Sequence, residues 1–166
     1  STPNAYFITI CSKKRKNLFW SDVGAIIDRP KNIPLTQYGK TVDFYIKAIP
    51  SHYPAISVDQ FVVMPNHIHL IIHVSDNSSK HKNNQSTDIK GNTNESMRII
   101  AKRCGRLSYI VSEYKRYITK YAIKHNITFA WQDRFHDRII RNQEEYISKI
   151  NYIENNIFNW KDDDLY

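Results

Sequence analysis

Two histidines separated by one residue, His67 and His69, form the most chemically specific pattern in the chain. They open the run His67 to Val74 (HIHLIIHV), whose length and β-branched content read as a strand. Side chains alternate faces along a strand, so His67, His69, Ile71 and His73 share one face while Ile68, Leu70, Ile72 and Val74 share the other. Neutral imidazole is a common metal ligand, and two imidazoles on one pleated face can reach the same ion. The competing reading is a pair of half-buried sheet residues, each satisfied by a hydrogen bond; the local pattern leaves both open. His73 is on the order of 13 Å from His69 along an extended strand, too far to share one ion easily, and reads as structural.

The elements that must position this strand follow from periodicity and punctuation. Val58 to Met64 is a second β-rich run, and the turn dipeptide Pro65-Asn66 joins it to the histidine strand as a hairpin. Ala5 to Cys11 (AYFITIC) predicts an earlier strand, ended by the basic loop Lys13-Lys14-Arg15-Lys16. Tyr38 to Ile49 carries Val42, Tyr45, Ile46 and Ile49 at helical spacing and is expected to stop at Pro50. A long helix is expected over Leu107 to Asn126, with Leu107, Ile110, Val111, Tyr114, Ile118, Tyr121 and Ala122 on one face. Thr128 to Trp131 and Phe135 to Ile140 read as strand, and Gln143 to Ile157 as a last helix. Positions 75–96 hold one large aliphatic residue, Ile89, too little apolar surface to offset ordering entropy, so a flexible polar insertion is expected there. The order of elements predicts an α+β sandwich, one mostly antiparallel sheet with helices packed on it.

At 166 residues, 41% of them hydrophobic, the chain is expected to be a single domain, 1–166, with an ordinary core. The longest apolar run, Ile68 to Val74, is broken by His69 and His73, so no membrane span is expected. The start, Ser1-Thr2-Pro3-Asn4, shows no leader pattern, and Cys11 and Cys104 are too few and too distant for a disulfide framework. The expectation is a cytoplasmic protein with reduced thiols. Lys and Arg outnumber Asp and Glu by 24 to 16, a net charge of +8 that attracts polyanions, nucleic acid foremost.

Three blocks in order carry a resemblance: Met64-Pro65-Asn66-His67-Ile68-His69-Leu70, then Phe129 to Arg141 (FAWQDRFHDRIIR), then Tyr152-Ile153-Glu154-Asn155-Asn156. Together they resemble the HUH single-tyrosine transposases of insertion sequences, most closely the REP-associated tyrosine transposase branch, over nearly the whole chain apart from 75–96. The resemblance implies a ferredoxin-like fold with helices on one face of the sheet. It further implies a divalent ion, Mg2+ or Mn2+, held by His67 and His69 with Asn156 as third ligand, and Tyr152 as the nucleophile. The implied activity is nicking and rejoining of single-stranded DNA through a covalent 5′-phosphotyrosine. Helix geometry agrees with that carry-over, because Tyr146, Ile150, Ile153 and Ile157 cluster on one side while Tyr152 and Asn156 lie together away from it, one turn apart. Tyr114 and Tyr121 read as core; Tyr117, at the edge of its apolar face, is the second candidate nucleophile.

Single-stranded or hairpin DNA is the expected partner, with Lys14, Arg15, Arg103, Arg106, Lys115, Arg116, His136 and Arg138 as candidate contacts, alongside Lys13, Lys16, Lys102 and Lys120. The family works both as monomers and as dimers, so a homodimer is allowed by the resemblance. The alternative reading is a non-cleaving HUH domain that binds DNA hairpins as a regulator; a replication or relaxase protein would share the chemistry. A histidine-triad nucleotide hydrolase would need a histidine at 71, and Ile71 excludes it.

Overall fold

The structure is a computed structural model that describes residues 4–21, 34–75 and 93–160. Four strands, β1 (Ala5–Cys11), β2 (Ile56–Val63), β3 (His67–Val74) and β4 (His136–Ile140), form one antiparallel sheet in the order β2-β3-β1-β4. Three helices accompany it: α1 (Gln37–His52), α2 (Thr93–Lys124) and α3 (Gln143–Asn156). The α+β antiparallel architecture is the one expected from the order of elements.

Two details of the helices differ from expectation. α1 runs through Pro50 to His52, because a proline in the last turn removes one hydrogen bond where the helix is already ending, and Tyr53 N still donates to Ile49 O. α2 starts at Thr93, so the final residues of the expected insertion are its first turn; the rest of that segment, 76–92, lies outside the described residues. Of Thr128 to Trp131 only Trp131 pairs, in an isolated bridge with Ser12.

β3 is the spine of the fold. Ile68, Leu70, Ile71, Ile72 and Val74 are all buried, and each fully buried large aliphatic stabilises by about 1.5–3 kcal/mol. Ile10, Leu70 and Ile72 pack under Ile46 and Ile49 of α1 and Ile110, Val111 and Tyr114 of α2. A one-residue slip would drive the histidines into that apolar layer, so burial fixes the register of the opposite face. α3 crosses that opposite face, touching β2 and β3. The expectation of helices on one face therefore holds for α1 and α2 only: the half-polar face of β3 still has Ile71 to bury, and α3 covers it.

A bulge at Asp59 in β2 turns its carboxylate toward the α3 side, where Oδ2 lies 2.7 Å from His73 Nε2 and accepts from the Tyr146 hydroxyl at 2.7 Å. His73 is thus engaged away from the other histidines, and the hydrogen bond to Asp59 pushes the Tyr146 phenol up to about 12. The loop after β1 wraps the hairpin: Leu18 N and Phe19 N both donate to Pro65 O, and Trp20 Nε1 donates to Val63 O. It passes so close to α1 that a Cβ at Gly39 would lie 2.1 Å from Phe19 O, which explains glycine there. Cys11 and Cys104 are not joined in a disulfide, and no described helix is long and apolar enough to cross a membrane.

Candidate functional site

The site grows out of the tight turn at Pro65-Asn66, closed by Met64 N donating to His67 O. His67 and His69 follow on the α3 side of β3, exposed only 0% and 3%. Their Nε2 atoms lie 2.9 Å apart. Each distal nitrogen is held from behind: His67 Nδ1 is 2.7 Å from Asn66 Oδ1, and His69 Nδ1 is 2.8 Å from Thr9 Oγ1 on β1. The first contact makes His67 the Nδ1–H tautomer with a bare Nε2, because the Asn66 carbonyl oxygen can only accept. Thr9 can donate or accept, so His69 is able to present either a bare or a protonated Nε2.

Tyr152 of α3 and Trp160, just past its end, lie against this pair, and Asn156 stands between them in sequence at four-residue intervals. The Tyr152 hydroxyl is 3.4 Å from His69 Nε2, its ring edge-on to His69 at 5.1 Å and to Phe7 at 5.8 Å. Trp160, just beyond α3, lies against His67 at 5.9 Å. Asn156 is 3% exposed, and its Oδ1 has no hydrogen-bond partner. Among the described residues no three of His, Cys, Asp or Glu cluster, so a third protein ligand would have to be an amide or hydroxyl.

These residues suit a divalent ion. Two cis ligands about 2.0–2.1 Å from an octahedral ion sit about 2.9 Å apart, which is the Nε2 separation found. Asn66 and Thr9 stand where the outer partners that orient ligating imidazoles would stand. A buried acceptor without a donor, the Asn156 carbonyl, is an atom whose satisfaction a cation would supply.

Burial, reinforced by the nearby Arg15 guanidinium, lowers the His67 pKa to about 3. His67 is therefore neutral, and able to ligate, throughout the physiological range. The unfolded chain, with an ordinary histidine near 6.5, takes up the proton first. This contribution to stability is complete above pH 6.5 and is lost as pH falls toward 3. In chelator, the free energy of unfolding is expected to fall below pH 6.5 with a limiting slope of about 1.4 kcal/mol per pH unit, the thermal midpoint falling with it, and the His67 ring protons should not titrate in NMR above pH 5. A ring titrating near 6.5 would contradict the burial argument.

The remaining candidates divide by face. Lys14 and Arg15 lie on the turn beside Asn66, whose Nδ2 donates to Arg15 O at 3.4 Å. His136 and Arg138 are paired in register with Thr9 and Phe7, on the histidine face, but Arg138 is engaged by Glu145 at 2.7 Å. Arg103, Arg106, Lys115 and Arg116 belong to α2, behind the sheet, and the fold does not bring them to Tyr152. Lys115 in particular is a structural clamp, its Nζ donating to Gln132 O at 2.8 Å and Arg134 O at 3.2 Å, with burial lowering its pKa. Arg116 is bound to Glu113 through two nitrogens. Tyr117 stacks on Tyr45 of α1 at 5.8 Å, on the far side of the sheet from the histidines.

Lys149 escaped the sequence reading: its Nζ sits 4.6 Å from the Phe7 ring and 5.5 Å from the Tyr152 ring. Its position three residues before Tyr152 on one helix was the available signal. Thr9 gave none, since its role depends on the β1–β3 register.

No family model matches the chain. Over 97% of its length it is 32% identical to an uncharacterized protein of Haemophilus influenzae, of which it spans 84%. Among solved structures, that of a REP-associated tyrosine transposase bound to a REP hairpin superposes at a TM-score of 0.54 with 17% identity, covering 96% of this chain and 70% of that one.

Proposed function

From a chain that belongs to one family with the Haemophilus influenzae protein and has the fold of the REP-associated tyrosine transposase, we infer an enzyme that nicks and rejoins single-stranded DNA through Tyr152. The observation that carries this reading is the Tyr152 hydroxyl 3.4 Å from His69 Nε2, which itself lies 2.9 Å from His67 Nε2, with the buried Asn156, its carbonyl without a partner, one helical turn on from Tyr152. Tyr152 is 41% exposed, so a strand can reach it.

His67, His69 and Asn156 would hold Mg2+ or Mn2+, which when bound neutralises charge on the scissile phosphate. The protein's own part is positional. β3 and α3 bring the phenol to the bound phosphate for in-line attack. The Tyr152 oxygen forms a bond to phosphorus, the bond to the 3′ oxygen breaks, and that oxygen leaves as a 3′-hydroxyl after taking a proton. An incoming 3′-hydroxyl reverses the step, so rejoining needs no outside energy.

Incubation with a labelled hairpin oligonucleotide bearing a single-stranded flank, in manganese, should give a covalent protein–DNA adduct on a denaturing gel, and chelator should suppress it. Tight hairpin binding with no adduct in any metal would instead favour the non-cleaving regulator.

A further inference from the structure

A second concave site lies at the end of the sheet where the histidine pair sits, built from residues that neither hold a metal nor attack phosphorus. A cavity of about 220 Å³ is enclosed by Lys13, Lys14, Lys16 and Leu18 on one side and by Thr128 and Phe129 on the other. It is smaller than the roughly 300–1,000 Å³ of sites for drug-sized ligands, and its make-up is divided. Leu18 and the half-buried Phe129 supply apolar wall, while Lys13, Lys14 and Lys16, all exposed, have no acid partner among the described residues.

The turn presenting these lysines is strained. Lys14 and Arg15 both adopt the left-handed region, φ 59° and 49°, which glycine or asparagine enters more readily than lysine. It is held there by Arg15 N donating to Ser12 O, Ser12 Oγ to Lys16 O and Lys13 N to Ala130 O. A strained backbone carrying charged side chains is a position where conformational preference has yielded to what the side chain does. The turn is also coupled to the histidine site, since Ser12 N donates to Asn66 O at 2.8 Å and Asn66 Oδ1 holds His67.

We propose that this cavity is a subsite for one unpaired nucleotide of single-stranded DNA, with its base against Phe129 and Leu18 and the adjoining phosphates among Lys13, Lys14 and Lys16. The proposal rests on the reading that the histidine–tyrosine site acts on single strands, and adds where the strand is gripped away from the scissile phosphate. Lysines alone would serve a bare anion; the apolar wall suits a base, and ammonium groups on flexible stems grip a backbone with little regard to sequence.

The test is fluorescence anisotropy in chelator, so that no cutting intervenes, with a labelled oligothymidylate and an abasic strand of equal charge. The double variant Lys14→Asn/Lys16→Gln should bind oligothymidylate about tenfold more weakly, with a log–log salt slope shallower by about 1.4, two phosphate contacts at about 0.7 each. Its thermal midpoint should equal or exceed the wild-type value, because asparagine accepts the left-handed turn. Wild type should prefer oligothymidylate to the abasic strand by about tenfold. Unchanged affinity and slope in the double variant, or equal affinity for the two strands in wild type, would overturn the proposal. Because binding is read in chelator, a wild-type protein that gave no adduct in the cleavage assay would remove the catalytic reading and leave this result standing.

Discussion

Tyr152→Phe protein is expected to form no covalent adduct with DNA under conditions where wild type does, a loss beyond about a thousandfold, because the substitution removes the attacking atom itself. The change is otherwise mild. A phenylalanine ring can keep the edge-on contacts to His69 and Phe7 and the proximity of Lys149, and the hydroxyl it forfeits is only 3.4 Å from His69 Nε2. Fold, thermal midpoint and strand binding should therefore be retained, which separates loss of chemistry from loss of structure. Tyr117→Phe serves as the control: that phenol stacks on Tyr45 across the sheet and should leave the adduct at wild-type yield. An adduct that survives in the Tyr152 variant and disappears in the Tyr117 variant would move the nucleophile to α2.

How much of the fold and site is legible in the sequence follows how local each signal is. The faces of β3 follow from the two-residue alternation of one strand, and the separation of Tyr146 from Tyr152 follows from the pitch of one helix. Both are properties of a single element. The flanks of the site are not. Thr9 meets His69 only because β1 pairs with β3 in one register, and Asp59 reaches His73 and Tyr146 only because β2 bulges there. α3 covers the face opposite α1 and α2, and its apolar stripe, Tyr146, Ile150, Ile153 and Ile157, marks which side of the helix packs but not which face of the sheet it packs on. The basic residues show the same limit: Lys115 looks like any solvated lysine of a basic helix until the backbone of Gln132 and Arg134 folds against it. Residue type announced the charge, and only tertiary structure showed that two carbonyls already use it.

Asn156→Leu should separate a ligand from a packing residue, because the two roles predict opposite signs. Asn156 is 3% exposed and its carbonyl oxygen meets no donor. An unsatisfied buried acceptor costs about 1–3 kcal/mol, and leucine, of similar size, is also the better helix former by about half a kcal/mol. In chelator the variant should thus be the more stable protein, by on the order of 1–3 kcal/mol. With manganese the order should close or reverse. Wild type gains about 2.7 kcal/mol at a hundred times the dissociation constant, whereas the variant, short of one ligand, should lose at least the ~10–100-fold in affinity that removing even an outer partner brings. The same loss should remove the metal-dependent adduct. Thermal melts in chelator and across a manganese titration read both signs at once. A variant that is less stable without metal yet shifts with manganese as wild type does would make Asn156 a helix-packing residue and leave the two imidazoles as the only protein ligands.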